Sequence, residues 1–182
     1  MNIIIRNYLS GSFLLQSEPN QWDAIVILDS KTKPSKFISE NTLRHLILKF
    51  DDICTQHHGK TEPALSHIQS ALEFADQSDN LMVCCRAGQS RSAALAYILS
   101  YHYMGEQIAL QMLNPKRHIP NKHLIDLASH LDQGENLIAS FLNWTEQHKQ
   151  VRLSEYYDEI EAEYDDLESR GARNLIVDHE SL

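Results

Sequence analysis

The residues best equipped for chemistry fall in one stretch, Met82-Val83-Cys84-Cys85-Arg86-Ala87-Gly88-Gln89-Ser90-Arg91-Ser92. An apolar run ends in two adjacent cysteines, a short loop with one glycine follows, and Arg91 opens an alanine-rich helical run. A loop between a strand and a helix can turn several backbone N–H groups toward one point. With the helix N-terminus this makes an anion site. Gly88 supplies the φ freedom that a tight cradle needs. Arg91 adds a planar fork able to grip two oxygens of a phosphate. The same positive field stabilises a thiolate at Cys85. A thiolate beneath a bound phosphate is an activated nucleophile for phosphoryl transfer. The competing reading is a structural cysteine at a strand end beside a helix-capping serine.

The run Cys85 to Ser92 resembles the C-x5-R phosphate loop of the protein tyrosine phosphatase superfamily. Its Ala87-Gly88-x-Ser90-Arg91-Ser92 core is most similar to the dual-specificity branch. The resemblance implies a central, mostly parallel α/β sheet and a set of roles. Cys85 attacks phosphorus and forms a cysteinyl-phosphate. Arg91 binds the equatorial oxygens and stabilises the transition state. The backbone of Arg86, Ala87, Gly88, Gln89, Ser90 and Arg91 holds the remaining charge. Ser92 donates a hydrogen bond to the departing thiolate. Neither metal nor cofactor is required, because arginine and loop amides neutralise the phosphate. One departure stands out: the family usually places His directly before the nucleophile, and this chain has Cys84. A buried neutral thiol there is favoured over a vicinal Cys84–Cys85 disulfide, which adjacent residues would strain.

A phosphoester leaving group needs a proton. The resemblance puts the acid on a loop roughly thirty residues before the cysteine, and Asp52 lies 33 before Cys85 and Asp51 34. Phe50, an apolar residue two before Asp52, favours Asp52, while both acids also suit a turn cap. His57 and His58 in the same loop lack zinc-ligand spacing and are expected in solvent or at the pocket mouth. Cys54 is near enough in sequence to raise a protective disulfide with Cys85. Downstream, Ile119-Pro120-Asn121 resembles the family's segment whose asparagine supports the phosphate loop, and Asn121 equally suits a helix N-cap.

Positioning these residues falls to alternating elements. Residues 3–6, 24–29, 43–50 and 80–85 read as strands, the first and second as buried β-branched runs. Residues 64–76 carry apolar side chains at Leu65, Ile68, Leu72 and Ala75, the helical period. Helices are also expected over 91–104, 105–113, 121–132 and 135–149. Residues 30–42 read as a polar loop with one helical turn. Strands alternating with helices, then helices accumulating, predict a mostly parallel sheet covered on its faces. Ligands of such sheets sit at the carboxyl ends of strands, where Cys85 falls.

Residues 1–150 read as the phosphatase domain and 151–182 as an acidic extension. From Val151 on there are ten acids against three Lys/Arg, so the body before it, with 13 bases and 15 acids, is nearly neutral. Neither part has the cationic surplus of a nucleic-acid or anionic-membrane binder. The apolar residues Leu153, Tyr157, Ile160, Tyr164 and Leu167 fall on one helical stripe. That predicts an amphipathic helix docked on its own domain or on a partner. Its acidic face is expected in solvent, or else set against the cationic pocket as an autoinhibitor. The last residues, Arg170 onward, are expected to be loosely held. Three cysteines do not form a secreted disulfide framework, and no apolar run approaches the ~18 residues of a membrane span, so a cytoplasmic protein is expected.

Phosphorylated protein or a small phosphoester is the expected substrate. Lipid and RNA phosphatases of the resembled superfamily tend to carry extra Lys/Arg in the loop, and positions 86 to 90 hold only Arg86. A catalytically weak module that captures phosphorylated partners is the alternative. A sulfurtransferase is disfavoured by the Gly88-x-Ser90-Arg91-Ser92 continuation and the acid upstream.

Overall fold

The computed structural model describes residues 1–55, 57–132, 134–149 and 153–176. Four strands form one sheet: β1 (Asn2–Arg6), β2 (Asp23–Leu28), β3 (His45–Lys49) and β4 (Asn80–Cys84). Their order is β1-β4-β2-β3, and every pairing is parallel. The helices are α1 (Tyr8–Ser17), α2 (Lys36–Asn41), α3 (Leu65–Ala75), α4 (Arg91–Met104), α5 (Glu106–Gln111), α6 (Lys122–Leu127), α7 (Gly134–Gln147) and α8 (Leu153–Ser169). A 3-10 turn over Ala128–His130 follows α6, so the helix expected over 121–132 is split.

Strand alternation divides the core into two layers. Ile25, Ile27, Leu81, Val83 and Cys85 face one side, packed with α3, α4 and α7. Ala24, Val26, Leu28, Met82 and Cys84 face the other, packed with Tyr8 and Leu15 of α1 and Phe37 and Ile38 of α2. Both faces are covered, which is why β2 reads as an unbroken apolar run and is buried throughout. α4 is the central helix, buried from Arg91 to Ser100.

Two features were not anticipated. The first is α1, which opens on a reciprocal cap: Asn7 Oδ1 accepts from Ser10 N–H at 2.7 Å and Ser10 Oγ accepts from Asn7 N–H at 3.2 Å. The second is the course of residues 170–176, which are docked rather than loose. Arg173 N–H donates to Ser12 Oγ at 2.9 Å, Leu175 is fully buried and its carbonyl accepts from Ser35 N–H, and Ile176 bridges to Pro34. Residues 177–182 lie outside the described part.

α8 packs on α1. Its buried stripe runs through Tyr156, Ile160 and Leu167, whereas Tyr157 is 59% exposed. The expected stripe is therefore shifted by one residue at its start, because Tyr156 reaches inward to a loop carbonyl. The side chain of Leu153 lies outside the described part. Among the described residues, no helix is long and apolar enough to cross a membrane.

Candidate active site

Cys85 follows β4 directly, and residues 86–90 join it to the first turn of α4. The parallel pairing of β2 with β4 brings the carboxyl end of β2 beside Cys85, and β3 extends the same edge through Phe50, whose N–H donates to the Leu28 carbonyl. The site thus gathers three strand ends at one helix N-terminus.

Cys85 Sγ lies 3.1 Å from Ser92 Oγ, and both residues are buried. Gly88 has φ +66, and a Cβ there would stand 2.7 Å from Asn7 N and 2.9 Å from the Arg6 carbonyl carbon. The loop therefore needs glycine twice, for its left-handed backbone and for its approach to the β1–α1 junction. The loop carbonyls are held from outside. Gln89 O accepts from Ile119 N–H at 3.1 Å and Ser90 O from Asn121 N–H at 3.2 Å. Arg86 O accepts from Tyr8 N–H and from the Tyr164 hydroxyl, and Ala87 O from the Tyr156 hydroxyl.

Arg91 is only 4% exposed. One terminal nitrogen donates to Phe50 O at 2.8 Å and lies 2.7 Å from Asp29 Oδ1, while Nε is buried without a partner. Burial works against the guanidinium charge, but Cys85, Asp29, Asp52 and Tyr8 together raise its pKa further. A second buried donor, Gln89 Nε2, is also unpartnered. Two orphaned N–H donors in one short loop are costly unless an acceptor-rich ligand meets them.

Asp52 reaches this loop. Its Oδ1 accepts from Ser90 Oγ at 2.8 Å and from Asn121 Nδ2 at 2.8 Å. Asn121 does three jobs at once: its Oδ1 caps α6 through Leu124 N–H at 2.9 Å, its amide holds Asp52, and its backbone holds Ser90 O.

No protein-family model matches the sequence, and no curated protein matches it. Solved structures do. The human tyrosine phosphatase-like serine/threonine/tyrosine-interacting protein covers 78% of this chain and 93% of its own at 19% identity, with a TM-score of 0.51. DUSP15 covers 82% and 94% at 15% identity, also with a TM-score of 0.51. The fold is that of the dual-specificity phosphatases.

Within this dual-specificity phosphatase fold, the two candidate acids occupy different environments. Asp51 is buried and accepts from Ser30 Oγ at 2.6 Å and Thr61 N–H at 2.7 Å, with Lys60 Nζ at 3.7 Å. Burial raises its pKa, but these donors outweigh it and hold the carboxyl below the usual range. Asp51 knots its loop to the end of β2; Asp52 alone of the pair contacts a side chain of the loop after Cys85, that of Ser90. His57 and His58 are exposed, as is the free thiol of Cys54.

Cys84 and Cys85 face opposite layers of the core, and both are free thiols. Burial pushes the Cys84 thiol well above its ordinary pKa, with Cys85 adding to it. Cys84 is thus a neutral core residue, which accords with the expectation for it.

Three site residues carried no signal in the sequence. Asp29 ends an apolar strand, and only the sheet order reveals that it meets Arg91. Tyr156 and Tyr164 belong to a helix 69 and 78 residues away from the carbonyls they hold. The acids of α8 leave Arg91 alone among the contacts described: Glu163 binds Arg117 and accepts from Asn7 Nδ2 at 3.1 Å.

Proposed function

We propose that this protein is a metal-independent cysteine phosphatase acting on phosphomonoesters, with phosphotyrosine and phosphoserine/threonine of proteins as the substrate class. The observation that carries this reading is the loop itself. Its nucleophile and Ser92 are 3.1 Å apart, its carbonyls are tied outward, and two buried donors, Arg91 Nε and Gln89 Nε2, lack protein acceptors. Such a loop is organised for an oxyanion.

In this mechanism the Cys85 thiolate attacks phosphorus in line with the leaving oxygen. The sulfur–phosphorus bond forms as the ester oxygen–phosphorus bond breaks. Asp52, neutral at that moment, gives its proton to the leaving oxygen. Arg91 and the loop N–H groups hold the equatorial oxygens. Water then attacks the cysteinyl-phosphate, Asp52 takes its proton, and Ser92 Oγ donates to the departing thiolate. Asp51 is not the acid in this mechanism, because it is buried and tied to Ser30 and Thr61, whereas Asp52 meets Ser90 of the loop. Asn121 braces both Asp52 and the loop.

A second reading, phosphate capture without turnover, is favoured by one observation: Asp29 already occupies a terminal nitrogen of Arg91. One of the two similar structures is also named phosphatase-like.

Hydrolysis of p-nitrophenyl phosphate with EDTA present, by the wild type and by Cys85→Ser, separates the readings. Metal-independent turnover that Cys85→Ser abolishes supports the enzyme. Phosphate binding without turnover under reducing conditions supports capture. Neither binding nor turnover refutes both.

A further inference from the structure

Helix α8 lies beside the phosphate loop rather than apart from it. Tyr156, fully enclosed, donates its hydroxyl to Ala87 O, and the half-buried Tyr164 donates to Arg86 O at 2.5 Å. Between them on the helix, Glu163 ties down Arg117 and Asn7. Asn7 is the residue whose backbone N the missing Cβ of Gly88 would strike. Ser90 and Gln89 have their carbonyls held by Asn121 and Ile119. Four of the loop's carbonyls are therefore gripped, two of them by α8.

The peptide bond makes this consequential. It is planar and trans, so the carbonyl of one residue and the N–H of the next point in opposite directions. Fixing Arg86 O toward Tyr164 turns the Ala87 N–H away from α8. Fixing Ala87 O toward Tyr156 does the same for the Gly88 N–H. Among the described residues, neither N–H donates to a protein acceptor. Both remain available to an anion held above Cys85.

We propose that Tyr156 and Tyr164 are positioning residues for phosphoryl transfer, setting the peptide planes whose N–H groups receive the phosphate. The proposal rests on the phosphatase reading above, and it makes the C-terminal helix part of the active site. A phenol suits the role. Burial pushes both hydroxyls up, Tyr164 to about 12, so each stays a protonated donor throughout the neutral range. Neither hydroxyl touches the reacting atoms; each acts through the backbone it orients. In the free loop, peptide planes without such anchors rotate, and the oxyanion must then order them as it binds.

The test uses the full chain with Tyr156→Phe, Tyr164→Phe and the double substitution, with the exposed Tyr157→Phe as control. Phenylalanine keeps the ring packing and removes only the hydroxyl. Three quantities are measured: the affinity for inorganic phosphate by calorimetry, kcat and KM for p-nitrophenyl phosphate, and the thermal midpoint. Each single substitution is expected to weaken phosphate binding about fivefold, as loss of one hydrogen bond implies, with kcat falling alongside. The double substitution is expected to weaken it by about the product, and Tyr157→Phe to change nothing. Phosphate affinity and kcat at wild-type level in both single variants, with only the midpoint lowered, would show a merely structural role and overturn the proposal. Should the double variant fail to fold, the two single variants decide. A wild type that binds phosphate without turnover overturns the enzyme reading yet still tests the tyrosines through affinity. A wild type that binds no phosphate overturns both.

Discussion

The ion pair between Asp29 and Arg91 makes a prediction that distinguishes orientation from charge. Arg91 is almost fully enclosed; its terminal nitrogen donates to Phe50 O at 2.8 Å and forms an ion pair with Asp29 Oδ1 at 2.7 Å. Asp29 is 32% exposed, so solvent screens the pair in part. Replacing Asp29 by Asn keeps an oxygen acceptor and removes the charge. An ion pair screened in part by solvent is worth about 1 kcal/mol, so the guanidinium loses roughly that much anchoring. The phosphate gains by comparison. Two charges some 4 Å apart interact by about 4 kcal/mol at an effective dielectric of 20, and a dianion farther away in a part-solvated pocket feels roughly 1–2 kcal/mol of repulsion from Asp29. Its removal is therefore expected to lower the inhibition constant of inorganic phosphate by about five- to thirtyfold. Asp29→Ala removes the charge and the acceptor together, so phosphate binding changes less and kcat falls. The assay is phosphate inhibition of p-nitrophenyl phosphate hydrolysis, supported by direct titration with phosphate. Weaker phosphate binding in Asp29→Asn than in the wild type would refute the reasoning. It would mean that Asp29 acts chiefly by holding the guanidinium in place.

Three other outcomes follow from single contacts. Asp52→Asn is expected to lower kcat by ~100-fold or more with little change in thermal midpoint, whereas Asp51→Asn is expected to lower the midpoint, at ~2 kcal/mol of lost hydrogen bonding, and to spare kcat below it; the reverse pattern would exchange the roles of the two acids. Gly88→Ala places a methyl 2.7 Å from Asn7 N at φ +66, so a loss of at least ~2 kcal/mol in chemical denaturation is expected, together with loss of phosphate binding. His118 is buried beside Arg117; burial first, then that charge, lowers its pKa to about 4. Between pH 6.5 and 4 the unfolded chain binds the extra proton, so the His118 contribution to stability is whole above pH 6.5 and is lost as pH falls toward 4. That is about 3 kcal/mol, read as the difference in acid slope between wild type and His118→Gln, and equal slopes would refute it.

His118 shows how far the phosphate loop's support extends. Its Nδ1 accepts from Asn114 N–H at 3.0 Å, and the turn it closes delivers Ile119 N–H to Gln89 O and Asn121 N–H to Ser90 O. Protonation makes Nδ1 a donor and ends that bond, so acid releases this brace behind the loop.

The chemistry-bearing stretch was legible because its constraints are local. A strand, a buried cysteine, one glycine at the position needing positive φ and a helix start occupy consecutive residues, and no distant partner is required to recognise them. Asp52 and Asn121 were expected from the family resemblance alone, and the fold sets both against Ser90 of the loop. What escaped was set by topology. α1 carries apolar side chains on several faces, Leu9, Phe13, Leu14 and Leu15 among them, because it lies between the sheet, α2 and α8. That arrangement erases the periodicity by which a surface helix is found. Its signal was the cap, Asn7 with Ser10. Asp29 reads as the polar end of a strand until the order β1-β4-β2-β3 sets the end of β2 next to β4 and Asp29 beside Arg91. The stripe on α8 was placed on Tyr157 when Tyr156 carries it, since successive helical residues lie about 100° apart and a sequence offers no partner to fix the register.

The eight acids of residues 153–168 read as a face in solvent or against a cationic pocket, and the contacts correspond to neither alone. The helix meets the phosphate loop through two neutral hydroxyls and meets cationic Arg117 through one carboxylate, Glu163. Neutral donors are what a loop carbonyl requires; a carboxylate there would repel it. Cationic Arg91 takes its counter-charge from Asp29, on a strand. Acidic side chains on α8 can thus keep the helix solvated without meeting Arg91, while Tyr156 and Tyr164 at its inner face bond the loop carbonyls. An inhibitory helix would need the opposite arrangement, with an acid pointing at Arg91 and the phenols in solvent.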